Sequence, residues 1–133
     1  MKSYVFDASA LVTYLEDRAG ARRVERALTE ARDGHARVIM CVVNWGEVYT
    51  HVWRWRGPQE AERVLAQIDR LPMMLLGADR ALSLQAATLR AKYRLPYADC
   101  FAAATARQEK ARLATSDSDF ERVERELRIL WLR

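Results

Sequence analysis

Cysteine is scarce in this sequence: Cys41 and Cys100 are the only 2 in 133 residues, and they show no CxxC or other metal-ligand spacing. That excludes a disulfide scaffold and a thiolate metal site, and it leaves two buried free thiols in a reducing compartment as the expectation. Proline (3) and glycine (5) are equally sparse. They fall between periodic segments, so the chain shows no linker, repeat or low-complexity stretch and reads as one domain over residues 1–133. No stretch approaches the ~18 consecutive apolar residues of a membrane span. The N-terminus lacks a basic segment followed by a long apolar one, so the expectation is a cytoplasmic protein with no secretory leader and no membrane partner.

Hydrophobic residues make up 50% of the chain, enough for a packed core. The net charge of +4, carried mostly by arginine, is compatible with nucleic acid and does not require it. Trp53 and Trp55 alternate with Arg54 and Arg56. Such a mixture stacks on bases or forms a protein interface, and the interface reading is favoured slightly.

Ser3-Tyr4-Val5-Phe6 reads as a short buried strand that runs into Asp7, with a helix over Ala8 to Leu15. Val24, Ala27, Leu28 and Ala31 recur at helical spacing before Gly34. Val38 to Val43 is a continuous apolar run, read as a second strand. Asn44-Trp45-Gly46-Glu47 opens a helix to about Arg56. Ala61, Val64, Leu65 and Ile68 mark the next helix, Met73 to Leu76 a short run, and Leu82, Ala86, Leu89 and Tyr93 a further helix. The helix after Leu95-Pro96 has mostly small side chains, which lets neighbouring backbones approach closely and places it centrally. Arg112 to Thr115 is a strand, Ser116 to Asp119 a turn, Phe120 to Glu126 a short helix, and Arg128 to Leu132 an edge strand. Strands alternating with helices predict an α/β fold with a parallel sheet covered on both faces.

Ligands in open α/β sheets bind outside the carboxyl ends of the strands. Four acids fall there: Asp7 after the first strand, Glu47 early in the helix after the second, Asp99 in the first turn of the small-residue helix, and Asp117 after the late strand. Each has a local explanation. Asp7 caps a helix, Glu47 forms a capping box with Asn44, Asp99 complements a helix N-terminus, and Asp117 makes an Asx-turn. Together they repel: two unit charges ~4 Å apart cost roughly 4 kcal/mol at an effective dielectric near 20. A divalent cation or bound protons relieve such a cluster. An all-oxygen set suits magnesium or manganese, and metal-activated phosphodiester hydrolysis is the chemistry that needs it.

Four elements in order carry a resemblance: Phe6-Asp7-Ala8-Ser9-Ala10-Leu11; Trp45-Gly46-Glu47-Val48; Leu95-Pro96-Tyr97-Ala98-Asp99 with Ala102-Ala103-Ala104; and Thr115-Ser116-Asp117-Ser118-Asp119-Phe120. In order, spacing and chain length the sequence resembles the PIN-domain ribonucleases, specifically the VapC-type toxins of toxin–antitoxin pairs. The resemblance implies a three-layer fold, a short parallel sheet flanked by helices. It implies a Mg2+-dependent endoribonuclease, with Mn2+ able to substitute, in which Asp7, Glu47, Asp99 and Asp117 are catalytic and Asp7, Asp99 and Asp117 hold the metal. Ser9 and Thr115 match positions where a hydroxyl supports the pocket. Asp119 either faces the pocket or caps the helix from Phe120, and the capping role is the expectation. The partners implied are an RNA substrate, a cognate antitoxin and a second copy in a homodimer. No direct DNA binding is expected from this chain alone.

On the helix from Glu47, His51 and Arg54 fall on the same face and are candidate substrate or antitoxin contacts. The Trp-Arg helix end is the candidate antitoxin or dimer contact. Two other classes remain open, a non-catalytic PIN-like binding protein and a receiver-like signalling module. A receiver needs an acidic pair after the first strand and a lysine after a late one, and this chain has neither.

Overall fold

The computed structural model describes residues 1–133. Five strands form one sheet: β1 (Lys2–Phe6), β2 (Ala36–Cys41), β3 (Met74–Leu76), β4 (Arg112–Thr115) and β5 (Ile129–Trp131). Their order is β3-β2-β1-β4-β5, and every ladder is parallel. Six helices cover it: α1 (Ala8–Leu15), α2 (Ala21–Arg32), α3 (Val42–Arg56), α4 (Pro58–Ile68), α5 (Arg80–Tyr93) and α6 (Tyr97–Gln108). A 3-10 turn spans Ser118–Val123 between β4 and β5.

Successive side chains of a strand point to opposite faces, and the two cores follow from that. Tyr4 and Phe6 of β1, with Val38 and Met40 of β2, pack under α1 to α4. Val5, Ile39, Cys41 and Leu113 pack under α5, α6 and the 3-10 turn. The central strands are therefore apolar on both faces, as parallel strands are. Every residue of α6 from Asp99 to Ala106 is buried. Its alanines let the helix backbone lie close to β1, β2 and β4, as the small-residue texture predicts.

The strand limits shift by a residue at the first, third and last strands, and two boundaries differ in a way that bears on the site. The second strand covers Ala36–Cys41, and Val42 already begins α3. One apolar run feeds both a buried strand and the first turn of a buried helix, which hydrophobicity alone does not divide. The helix predicted over Phe120 to Glu126 is instead the 3-10 turn Ser118–Val123, which starts two residues earlier because Asp117 caps it. The sheet order also separates the chain from receivers, whose strands run 2-1-3-4-5.

The chain moves outward from β1 through β2 to β3, then returns to place β4 on the other side of β1. The segments leaving β1 and β4 accordingly diverge to opposite faces. A crevice opens between their carboxyl ends, the position where such sheets hold ligands.

The loop before α2 is fixed to the last strand by Gly20. Its φ is +94°, and a Cβ there would lie 2.6 Å from the Leu132 carbonyl oxygen. Gly20→Ala should therefore destabilise the fold by about 1–3 kcal/mol, read as a lower denaturant midpoint, whereas Gly34→Ala, where φ is +80° but a Cβ meets nothing within 4 Å, should cost less.

Candidate active site

Asp7 sits at the crevice, 3% exposed, and its carboxylate is fully engaged. Oδ1 accepts the Ala10 backbone N–H at 2.9 Å, capping α1, and the Ser9 hydroxyl at 2.7 Å. Oδ2 accepts the Thr115 hydroxyl at 2.6 Å. Each hydroxyl is held in turn: Ser9 Oγ accepts Ser116 N–H at 3.0 Å and Thr115 Oγ1 accepts Asp117 N–H at 3.0 Å. The two strand ends are thus stitched together through one buried carboxylate. The capping reading of Asp7 and its place among the acids are both met by the same side chain.

Asn44 does not form a capping box with Glu47. Cys41 occupies the N-cap of α3 without a side-chain bond, and Asn44 lies inside the first turn. Fully buried, its Nδ2 donates to Glu47 Oε1 at 3.0 Å and to the Ala98 carbonyl at 3.0 Å. It therefore orients the Glu47 carboxylate and fixes α3 against the start of α6, one residue from Asp99. The three-residue spacing points to the Asn44–Glu47 pair; the cross-helix bond to Ala98 has no sequence signal.

Asp99 occupies the first turn of α6 and is 8% exposed. Its Oδ2 is buried with no hydrogen-bond partner. Asp117 follows β4 and caps the 3-10 turn, Oδ1 accepting Asp119 N–H at 2.9 Å. The cap expected of Asp119 is thus made by Asp117, because the turn begins earlier. Asp99, Asp117 and Asp119 each present one carboxylate oxygen within 4.8 Å of the others. Asp119 also pairs with Arg122 at 3.4 Å.

Charge follows position. Burial pushes the Asp7 carboxyl up to about 6, against the pull of Thr115, Ser9 and the Ala10 amide, with Asp117 adding to the rise. Burial pushes Asp99 up to about 8, reinforced by Asp117, Asp7 and Glu47. Burial also raises Glu47, offset by the Asn44 bond and reinforced by Asp117. The four acids picked from strand-end positions therefore act on one another electrostatically.

His51 and Arg54 lie outside this cluster. With Arg18, Thr50, Trp55 and Glu47 they line an open groove of about 650 Å³ that reaches the acids at Glu47. His51 Nε2 lies 2.9 Å from Glu16 Oε2, and Arg18 pairs with the same carboxylate. Arg18 belongs to this groove although the sequence reading does not select it; it precedes α2 in a loop, where helical spacing says nothing.

The raised carboxyls make stability depend on pH. Asp7 and Asp99 bind protons more tightly folded than unfolded, where the ordinary value is 3.8. Their contribution is complete below about pH 4 and is lost as pH rises through about 6 and about 8. The Asp7 shift alone amounts to on the order of 3 kcal/mol. Metal-free protein should melt at a lower temperature at pH 8.5 than at pH 5, and Asp99→Asn should flatten the upper part of that dependence. A second pair separates the aspartates near the turn. Asp117→Ala should cost ~1 kcal/mol of stability through the lost cap, and Asp119→Ala should leave stability unchanged in the same melt.

Residues 4–126 match the PIN domain family. No curated protein sequence matches significantly. Solved structures do match in fold. The chain is similar to VapBC2 of Rickettsia felis bound to a promoter DNA fragment, with TM-score 0.77 and 14% identity over 98% of this chain and 99% of that one. It is similar to DNA-bound VapBC of Salmonella typhimurium, with TM-score 0.77 and 16% identity over 100% of both chains. It is also similar to VapC20 of Mycobacterium tuberculosis, a toxin that cleaves the sarcin-ricin loop, with TM-score 0.72 and 16% identity over 90% and 94%. With the family match spanning nearly its whole length, and with this strand order and acid placement, the chain belongs to the PIN domain family.

Proposed function

We propose that the protein is a metal-dependent endoribonuclease, the toxin of a toxin–antitoxin pair, and that Asp7, Glu47, Asp99 and Asp117 form its catalytic centre. The observation that carries the reading is Asp99: a carboxylate buried at the switch point with Oδ2 unpartnered, among three other acids that raise its proton affinity. Burying such a group is costly unless a ligand completes it. A hard divalent cation fits on chemistry, since every candidate donor is a carboxylate oxygen and neither cysteine nor histidine belongs to the cluster. Mg2+ is the ion proposed, with Mn2+ as substitute. Asp99, Asp117 and Asp119 present the gathered oxygens that would hold it; Asp7, whose two oxygens already accept three hydrogen bonds, lies outside that trio and would be a further ligand beside it.

Bound there, the ion would supply charge stabilisation for the phosphodiester and acidify the attacking water. The chain's own groups do the rest. Ser9 and Thr115 hold Asp7 in one orientation and leave it little freedom to turn away. Asn44 holds Glu47 Oε1, and burial raises the proton affinity of this carboxylate, which suits it to take a proton from water. Burial and the neighbouring acids push the Asp99 carboxyl up to about 8, so near neutral pH it favours its proton, and a bound cation would favour the carboxylate instead. The partners proposed are RNA, a cognate antitoxin and a second copy of the chain. Support for the antitoxin comes from the fold neighbours, which include VapBC toxin–antitoxin assemblies.

Purified chain free of any antitoxin should cleave RNA with Mg2+ or Mn2+ and stop in excess chelator; cleavage that persists in chelator would overturn the mechanism. Asp7→Asn, Glu47→Gln and Asp99→Asn should each lower the rate at least ~100-fold, the scale of losing an electrostatic or acid–base group. Asn44→Ala should lower kcat with little change in KM and be partly restored by Asn44→Gln, because it acts through Glu47.

A further inference from the structure

One groove leaves the acids at Glu47 and runs along α3. Glu47, Thr50, His51, Arg54 and Trp55 are spaced i, i+3, i+4, i+7 and i+8, so they share one face of α3. Eight residues of helix extend that face over roughly 12 Å. A nucleic-acid strand in a duplex carries one phosphate per ~3.4 Å of axis, so the face accommodates more than one nucleotide. Of the six lining residues only Trp55 is hydrophobic; Arg18, His51 and Arg54 supply cations or donors. Arg18 and His51 are tied to Glu16, whereas Arg54 pairs with no carboxylate.

The two exposed tryptophans of α3 are not equivalent. Trp53 tilts onto Tyr49 with ring centroids 5.8 Å apart, and the Tyr49 hydroxyl bonds Glu62 of α4. It belongs to the α3–α4 pair. Trp55 lines the groove, 58% exposed, with His51 at 5.8 Å and the Arg56 guanidinium 5.2 Å from its ring centroid. A cation beside an exposed indole at the end of a polar groove is the arrangement that stacks a base and holds its phosphate. A separate cleft of about 230 Å³ also touches Trp55; Val12, Leu15, Val52 and Val64 line it together with Glu16, Arg56, Glu60 and Gln67, so it carries two carboxylates where the groove along α3 carries two arginines.

Resting on the ribonuclease reading above, we propose that this groove seats the single-stranded RNA on one side of the scissile phosphate, Trp55 stacking a base and Arg54 and Arg18 meeting the backbone. Continuity with the acids at Glu47 fixes the direction: the strand leaves the acids along α3 toward its C-terminal end.

The test uses full-length Asp99→Asn protein with Mg2+ and a fluorescein-labelled single-stranded oligoribonucleotide, its dissociation constant read by anisotropy over a salt series. In that background Trp55→Ala should weaken binding about 5- to 100-fold, the range of one lost base stack, and Trp55→Phe should restore most of it. Arg54→Ala should lower the slope of log affinity against log salt by about 0.7, one single-strand phosphate contact. Trp53→Ala should change neither. In the cleavage-competent chain, Trp55→Ala should raise KM more than it lowers kcat. RNA binding and KM unaltered by Trp55→Ala and Arg54→Ala, with Mg2+-dependent cleavage intact, would overturn the subsite and leave the ribonuclease reading standing. If those substitutions abolish binding of a purified antitoxin and spare RNA, the groove belongs to the protein partner and the proposal fails. Absence of any cleavage by the unaltered chain with Mg2+ would remove both.

Discussion

Carboxylates held near one another in a buried crevice repel, and the construction of this molecule around the ends of β1 and β4 answers that repulsion. Asp7 is kept by three hydrogen bonds and still has its proton affinity raised to about 6. Asp99 has no hydrogen bond to its inner oxygen and rises to about 8. The contrast sorts the acids into two kinds. Asp7 is structural as well as a proposed catalytic group, because the same bonds cap α1 and join two strands. The inner oxygen of Asp99 has no partner in the fold, and burial among acids favours a proton on this carboxyl.

The topology explains why the acids meet. Placing β4 beside β1 sends the segments after them to opposite faces, so the two caps, Asp7 and Asp117, approach each other across the crevice. Helix α3 brings Glu47 from one side and α6 brings Asp99 from the other, and Asn44 ties the two helices at that level. The alanine-rich texture of α6 is part of the same arrangement. A bulkier helix would hold Asp99 farther from the strand ends.

Much of this is legible in the order of the amino acids. The strand and helix alternation, the small-residue helix and the four strand-end acids follow from hydrophobic periodicity and from where parallel sheets place ligands. Boundaries are not legible where one apolar run serves two elements, as at Val42 and Val43. That Asp117 makes the cap expected of Asp119 while keeping its place among the acids turns on whether a short turn begins at residue 118 or 120, a difference of two residues that composition does not register. The Ala98 bond of Asn44 and the placement of Arg18 beside α3 are long-range contacts, and no local pattern encodes them. Trp53 and Trp55 look alike in sequence; only the packing of α4 against α3 assigns one to each side.

Asp99 is proposed to store a proton that a divalent cation displaces. Calorimetric titration of Mn2+ at pH 7 in buffers of different ionisation enthalpy counts the protons released per ion bound. Close to one proton is expected from the unaltered chain, fewer above pH 9, and none from this site in Asp99→Asn. Binding without proton release, or the same release in Asp99→Asn, would contradict it.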